Sequence, residues 1–310
     1  MNNAPRTPDI SYVIITYNDA GRLPMAIFSA ALNSRRAGLG YEIWVVDNGS
    51  TDHTAQVLAD FGQELGGCLK IISLARNYGT TYSRNQALAQ AQGRVICVLD
   101  SDAELMDDGL AGVLALLRGL PQVGILAPRI IMPDGSTYPS VKMLPTLTDK
   151  LAKLPDIFLH RGSSNRDFYP DFPFAGLRCV DTAISCCWFF RRELLELVGP
   201  LDERIFYAPE DVDWCLRTWK AGRAVVYYPH LRVLHHTRQL SRRRPLSLLA
   251  LSHFKGILYY LHKHGYWFSR RRLQQRHIRP LASRLDPLLA AWERGERAGQ
   301  AAPAPPRESG

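Results

Sequence analysis

No apolar run in this chain approaches the ~18 residues that a membrane-spanning helix requires. Residues Met1–Asp9 lack the basic start and apolar stretch of a secretory leader. Both absences point to a cytoplasmic protein. The six cysteines (Cys68, Cys97, Cys179, Cys186, Cys187 and Cys215) contain no C-x-x-C pair, which removes the usual signature of a zinc or thiol-redox site. Most sit in apolar runs and read as small core residues; the vicinal pair Cys186-Cys187 is open to either filler or redox chemistry. There is no G-x-G-x-x-G after the first apolar run and no G-x-x-x-x-G-K-[ST] anywhere, which disfavours a dinucleotide dehydrogenase or a P-loop NTPase. Acidic residues are missing from one segment: Arg238–Arg279 holds 11 Lys and Arg and no Asp or Glu. The net charge of the whole chain is +9, so this segment carries more than the surplus and the remainder is near neutral.

What is present suits one large domain, or one domain with an appendage, in 310 residues of which 46% are apolar. Four short runs rich in β-branched residues, Ile10–Ile15, Tyr41–Val46, Leu69–Leu74 and Val95–Leu99, read as strands buried on both faces. Helical patterns separate them at about 22–36, 51–65 and 81–92, with Gly38, Gly40, Gly66, Gly67 and Gly93 as stops. Such repeats imply a doubly wound α/β fold, a mostly parallel sheet flanked by helices. Beyond it, Met106–Leu120 reads as a helix, and Val123–Met132 and Thr182–Phe190 as strands. Arg192–Val198 and the segment carrying Val212, Cys215, Leu216 and Trp219 read as helices, and Ala224–Tyr228 and Leu231–Leu234 as two final strands. Residues 137–178, rich in Pro, Asp and Arg, read as substrate-facing loops.

Three polar clusters share one position in this scheme. Thr16-Tyr17-Asn18 follows the first strand, Asp47-Asn48-Gly49-Ser50 the second, and Asp100-Ser101-Asp102 the fourth. Any one of them could be a turn; together they mark the carboxyl edge of the sheet, where open α/β sheets bind ligands. If a diphosphate binds there without a glycine-rich cradle, a hard divalent cation such as Mg²⁺ or Mn²⁺ is the natural neutraliser, with carboxylate, phosphate and water oxygens as ligands. Residues i and i+2 of an extended segment share a face. Asp100 and Asp102 can therefore point to one spot, one toward the metal and one toward a ribose hydroxyl or metal-bound water. A second acidic group, Glu210-Asp211 with Asp213, opens a helix. There acids complement the helix dipole, yet three crowded carboxylates exceed what capping needs. Asp213 stands four residues before Arg217, the spacing of an intrahelical ion pair.

The motifs Tyr12–Asn18, Val45–Asp52, Arg76–Gly79, Ser83-Arg84-Asn85, Asp100-Ser101-Asp102, Gly199–Glu203 and Glu210–Asp213 resemble, in order, those of glycosyltransferase family 2, over roughly residues 10–241. The look is that of bacterial rhamnosyltransferase-like members. The resemblance implies a GT-A fold, a nucleoside-diphosphate sugar donor, a divalent metal and inversion at the anomeric carbon. By position, Asp47 would bind the base with Thr16 and Tyr17 lining its pocket and Asn18 beside them. Arg76 and Asn77 would contact the nucleotide, Asp100 would face the ribose, Asp102 the metal, and Asp211 would be the general base. Inversion by direct displacement does need one carboxylate to take the acceptor's proton. Of His235 and His236, which face opposite ways on a strand, His235 is the expected metal ligand. The Thr237–Ser241 stretch after them departs from the Gly-rich pattern of many relatives.

The basic segment interleaves Arg242–Arg244, Lys255, Lys263 and Arg270–Arg272 with Leu, Phe, Tyr and Trp. It reads as an amphipathic helical extension over 242–294 suited to an anionic membrane surface, where a glycan or polyprenyl-diphosphate-linked acceptor would lie. Packing on the domain and nucleic-acid binding are its rivals, and of these nucleic acid is not expected as a partner. Residues 1–9 and 295–310 are expected to be disordered. The expected activity is glycosyl transfer in cell-surface polysaccharide synthesis from a dTDP- or UDP-sugar, dTDP-rhamnose among them. A sugar nucleotidyltransferase lacks support without its Gly-rich, lysine-bearing loop, and a non-catalytic binding protein sits poorly with the full acidic set.

Overall fold

The computed structural model describes residues 7–106, 108–152, 167–169, 171–236 and 248–295. The Thr237–Ser241 stretch, the Arg242–Arg244 run, much of the expected 137–178 loop region and most of both expected disordered termini lie outside these residues.

The β-branched runs form strands β1 (Ile10–Thr16), β2 (Tyr41–Asp47), β3 (Leu69–Ser73) and β4 (Val95–Asp100), linked by helices α1 (Leu23–Arg36), α2 (Thr54–Leu65) and α3 (Thr80–Leu88). Helix α1 starts with a proline in its first turn and ends on Arg35 and Arg36, which complement the negative end of its dipole. These strands pair in parallel in the order β3-β2-β1-β4. The chain winds outward from β1 in one direction through β2 and β3, then returns to place β4 on the other side. The order therefore reverses between β1 and β4, and the carboxyl ends there are Thr16 and Asp100.

Past β4 the sheet becomes mixed. The later strands are β5 (Ala103–Leu105), β6 (Val123–Ile131), β7 (Val141–Lys142), β8 (Arg178–Cys179), β9 (Thr182–Ala183), β10 (Cys187–Arg191) and β11 (Ala224–His235). The order continues β4-β10-β6-β11-β5, with β8 on β11, while β7 and β9 pair separately. Strand β10 runs antiparallel to both β4 and β6. The run expected as one strand over Thr182–Phe190 is divided between β9 and β10. Conversely, the two strands expected at the end of the fold are one, β11, whose register against β6 shifts between Tyr228 and Arg232. Pro229 lies in that shift, where the ladder cannot use a missing N–H.

Helices α4 (Leu110–Gly119), α5 (Leu147–Leu151), α6 (Glu193–Val198) and α7 (Glu210–Lys220) complete the domain. Helix α7 is anchored by Trp214 and Trp219, each only 1% exposed. Burying side chains of this kind contributes on the order of 3 kcal/mol each. Trp214 stacks on Trp188 at 5.7 Å and donates its indole N–H to the Gly199 carbonyl. This side-chain anchoring fixes the rotation of α7 and thus the direction of its first residues. Helices α8 (Leu248–His264) and α9 (Arg279–Glu293) pack on the same core through Ile257, Tyr260, Leu261, Leu285 and Leu289. Asp286 and Glu293 accept hydrogen bonds from the N–H groups of Cys179 and Leu177, which ties α9 to β8. No described helix is long and apolar enough to cross a membrane.

Candidate active site

The loops after β1 and β2 form one bonded unit. The Asn48 N–H donates to the Thr16 carbonyl, and the Ser50 N–H donates to Asp47 Oδ1 at 2.9 Å. Asn18, in the left-handed region at φ 49°, accepts from the Thr51 N–H at its side-chain oxygen and donates its own N–H to the Ser50 hydroxyl oxygen. The Asn48 amide reaches Asn77 Oδ1 and the Tyr78 N–H, which joins the β2 loop to the β3 loop. Gly49 makes that junction possible: at φ +77° it lies so close that a Cβ would sit 2.5 Å from Arg76 Cα. Thr16, Asp47, Asn77 and Arg76 are thus gathered at one edge. Thr16 and Asp47 are buried, while Tyr17, Arg76 and Asn77 are exposed. The Thr16 hydroxyl oxygen is buried with no partner, a polar group that a ligand's hydrogen bond would satisfy. Arg76 lies over the Tyr78 ring at 4.9 Å.

Asp100, Asp102 and His235 converge at the end of β4. One ligating atom of each lies within 4.8 Å of the other two. His235 Nε2 is 3.2 Å from Asp102 Oδ1 and 4.0 Å from Asp100 Oδ2. Strand pairing brings them together: β11 runs antiparallel to β5 with His235 opposite Ala103. His236 points elsewhere, to Glu104 at 3.2 Å. Burial opposes ionisation of Asp102, but the His235 hydrogen bond and charge outweigh it and hold its carboxyl below the usual range. Burial likewise opposes the imidazolium of His235, and its two aspartates overcome this and raise its pKa. Asp102 and His235, with Asp100 close beside them, suit a single Mn²⁺ or Mg²⁺ ion, with open positions left for phosphate oxygens and water.

A buried network absent from the sequence reading joins this triad to α7. Arg84, on α3, donates from Nη2 to Asp100 Oδ1 at 2.5 Å and from Nη1 to Ser185 Oγ at 2.8 Å and Glu210 Oε1 at 3.2 Å. Ser185 also donates to Glu210, at 2.9 Å. Burial, with the neighbouring Asp211 charge, pushes the Glu210 carboxyl up to about 8. Burial raises Asp100 as well, against the Arg84 charge. Glu210 therefore holds its proton near neutrality and is turned inward onto Arg84 and Ser185. Asp211, half-buried, accepts from its neighbour's N–H at Val212, at 2.8 Å. Of two adjacent acids, one is consumed inward and one faces out. Arg84 stood inside the Ser83-Arg84-Asn85 motif, but no local signal gave it these partners, which lie 101 and 126 residues away. Asp213 bonds Arg217 as its spacing predicted, at 2.8 Å, and also Lys263 and His264 of α8. Cys186 and Cys187 are buried and free, and act as core filler.

The family model described as "Glycosyl transferase family 2" matches residues 11–199. The chain belongs to glycosyltransferase family 2. This family 2 glycosyltransferase is 28% identical over 286 residues to the N-acetylglucosaminyl-diphospho-decaprenol L-rhamnosyltransferase of Mycobacterium tuberculosis, covering 84% of this chain and 87% of that protein. It is also 26% identical over 245 residues to the succinoglycan biosynthesis protein ExoO of Rhizobium meliloti, covering 78% of this chain and 65% of that one. Among solved structures, GalNAc-T7 with UDP, GalNAc and Mn²⁺ superposes with a TM-score of 0.57 at 17% identity, over 76% of this chain and 45% of that chain. The Pyrobaculum calidifontis mannosyltransferase PcManGT, with GDP-Man and Mn²⁺, gives 0.54 at 17% identity over 96% and 77%. These likenesses establish the GT-A fold of the transferase and nothing finer.

Proposed function

We propose that this glycosyltransferase moves a sugar, with inversion, from a nucleoside-diphosphate donor to a polyprenyl-diphosphate-linked glycan at the inner face of the membrane. One observation carries the reading: the single guanidinium of Arg84 spans from Asp100 of the acidic triad to Glu210, the residue before Asp211. That bridge supports reading the donor half and the acceptor half as neighbours. Thr16, Tyr17, Asn18 and Asp47, with Arg76 and Asn77, hold the nucleotide, and Asp100 faces its ribose. Asp102 and His235 hold a divalent cation, which when bound there supplies the positive charge a departing diphosphate needs. Asp211 accepts the proton of the acceptor hydroxyl as that oxygen attacks the anomeric carbon from the face opposite the diphosphate. Arg84 and Ser185 occupy Glu210, which leaves Asp211 as the carboxylate of this pair not tied into the buried network.

The mycobacterial relative makes dTDP-rhamnose the first donor to test and an N-acetylglucosaminyl-diphospho-polyprenol the first acceptor. The decisive experiment offers dTDP-, UDP- and GDP-sugars with Mn²⁺ and that acceptor. Transfer with inversion is expected from one nucleotide class. Asp211→Asn should lower kcat by about 10²–10⁴-fold while leaving donor binding nearly intact. Loss of donor binding in that variant would refute the base assignment.

A further inference from the structure

The segment 202–213, which carries Asp211, is held at three points by α8. At its start, Asp202 Oδ2 accepts from Lys263 Nζ at 2.8 Å and from the Tyr259 hydroxyl at 2.7 Å. At its end, Asp213 Oδ1 is 2.7 Å from the same Lys263 Nζ and 2.8 Å from His264 Nε2. Between them, Gly256 of α8 abuts the chain so closely that a Cβ would lie 2.2 Å from the Ala208 carbonyl oxygen and 3.1 Å from Pro209 Cδ. The opposite side of the segment rests on α3. There the Thr80 N–H donates to the Phe206 carbonyl at 2.7 Å and the Thr81 hydroxyl to that of Ile205 at 2.5 Å. Gly79 repeats the close approach, with a Cβ 2.2 Å from the Phe206 oxygen.

We infer that α8 is a positioning element for the acceptor half, with Lys263 as its tie and Gly256 as its contact point, so that the C-terminal helix aims Asp211. This rests on the reading of Asp211 as the base. The whole device apart from Gly79, Thr80 and Thr81 lies beyond residues 11–199, the span matched by the family model. One ammonium shared by two carboxylates 11 positions apart closes the segment into a loop. Pinning its middle against a glycine removes the remaining sideways freedom. A carboxylate that must meet a hydroxyl at hydrogen-bond distance depends on such restraint, since a displacement of about 1 Å can cost on the order of 10²-fold in rate.

The test compares Lys263→Met, Lys263→Arg and Gly256→Ala with His262→Ala, an exposed neighbour on the same helix. Steady-state kinetics, donor binding by calorimetry and hydrogen–deuterium exchange are measured on the full chain. Lys263→Met should lower kcat by about tenfold or more with donor KM within about twofold, and speed exchange over 202–213 while β1–β4 stay protected. Lys263→Arg should restore most of the rate. Gly256→Ala should act in the same direction; if it does not fold, Lys263→Met decides alone. An unchanged kcat in folded Lys263→Met, or a parallel fall in donor affinity with protection lost throughout, would overturn the inference. Absence of transfer by the wild-type chain would refute the glycosyl-transfer reading instead. The exchange data, which need no turnover, would still report whether Lys263 holds the segment.

Discussion

Glu210→Gln isolates the energetic consequence of burying an acid beside the candidate base. In the wild type the Glu210 carboxyl is pushed up to about 8 from the 4.5 of a free glutamate, by burial first and by Asp211 second. The folded state therefore binds this proton more tightly than the unfolded chain does. The stability that the proton confers is fully present below pH 4.5 and is lost as pH rises through 8. Between about pH 5 and 8.5 this one group should withdraw roughly 4 kcal/mol of folding stability, an order-of-magnitude figure at 1.36 kcal/mol per unit. Glutamine keeps an acceptor for Arg84 and Ser185 but cannot ionise. Urea unfolding of both proteins at pH 5.5, 7 and 8.5 would expose the difference. The variant should match the wild type at the acid end and exceed it increasingly toward the alkaline end. Parallel stability profiles would refute the burial argument, and with it the claim that Glu210 keeps its proton near neutrality.

Loss of an outer-shell partner already costs roughly 10–100-fold in metal affinity, so Asp102→Ala should weaken Mn²⁺-dependent donor binding by at least that much; unchanged calorimetry would remove Asp102 from the metal site. Excess EDTA should stop turnover and added Mn²⁺ restore it, whereas full activity in chelator would refute the metal requirement. Gly49→Ala places a methyl 2.5 Å from Arg76 Cα at a positive φ, which should part the two nucleotide-side loops and raise donor KM with little change in kcat; an unaltered KM would show that this junction does not shape the donor site. Liposome flotation tests the membrane-facing role proposed for the basic extension: co-flotation with anionic vesicles at physiological salt is expected, and none would exclude it.

The parallel half of the fold was legible because each strand there is a continuous β-branched run ended by polar residues, and Thr16, Asp47 and Asp100 all fall at those ends. Buried parallel strands leave little room for another pattern. The later half resisted because its strands are decided by distant neighbours. Strand β10 is short and inserts between β4 and β6, and β11 continues through Pro229 because β6 pairs with it on both sides of the register shift, with β5 joining on its last residues. The same limit hid Arg84, whose worth depends on Ser185 and Glu210. It also coloured the reading of the basic extension. Lys263 and Arg270 resemble solvated cations when only the adjacent sequence is seen. In the fold they meet Asp202, Asp213 and Asp149, which lie 50 to 121 residues earlier. Charge balance is a property of the packed chain, and local composition does not report it.

The pairing of β11 with β5 has a consequence for biosynthesis. The nucleotide-side loops and both aspartates are complete once the ribosome has passed residue 102, but the imidazole of His235 arrives more than 130 residues later, through the strand that extends the sheet to β5. Until then the emerging chain holds an unfinished cation cage. The candidate base and the helix that braces it also emerge after the first aspartates. A chain truncated before residue 210 would therefore lack both the imidazole and the candidate base, whatever its parallel strands do.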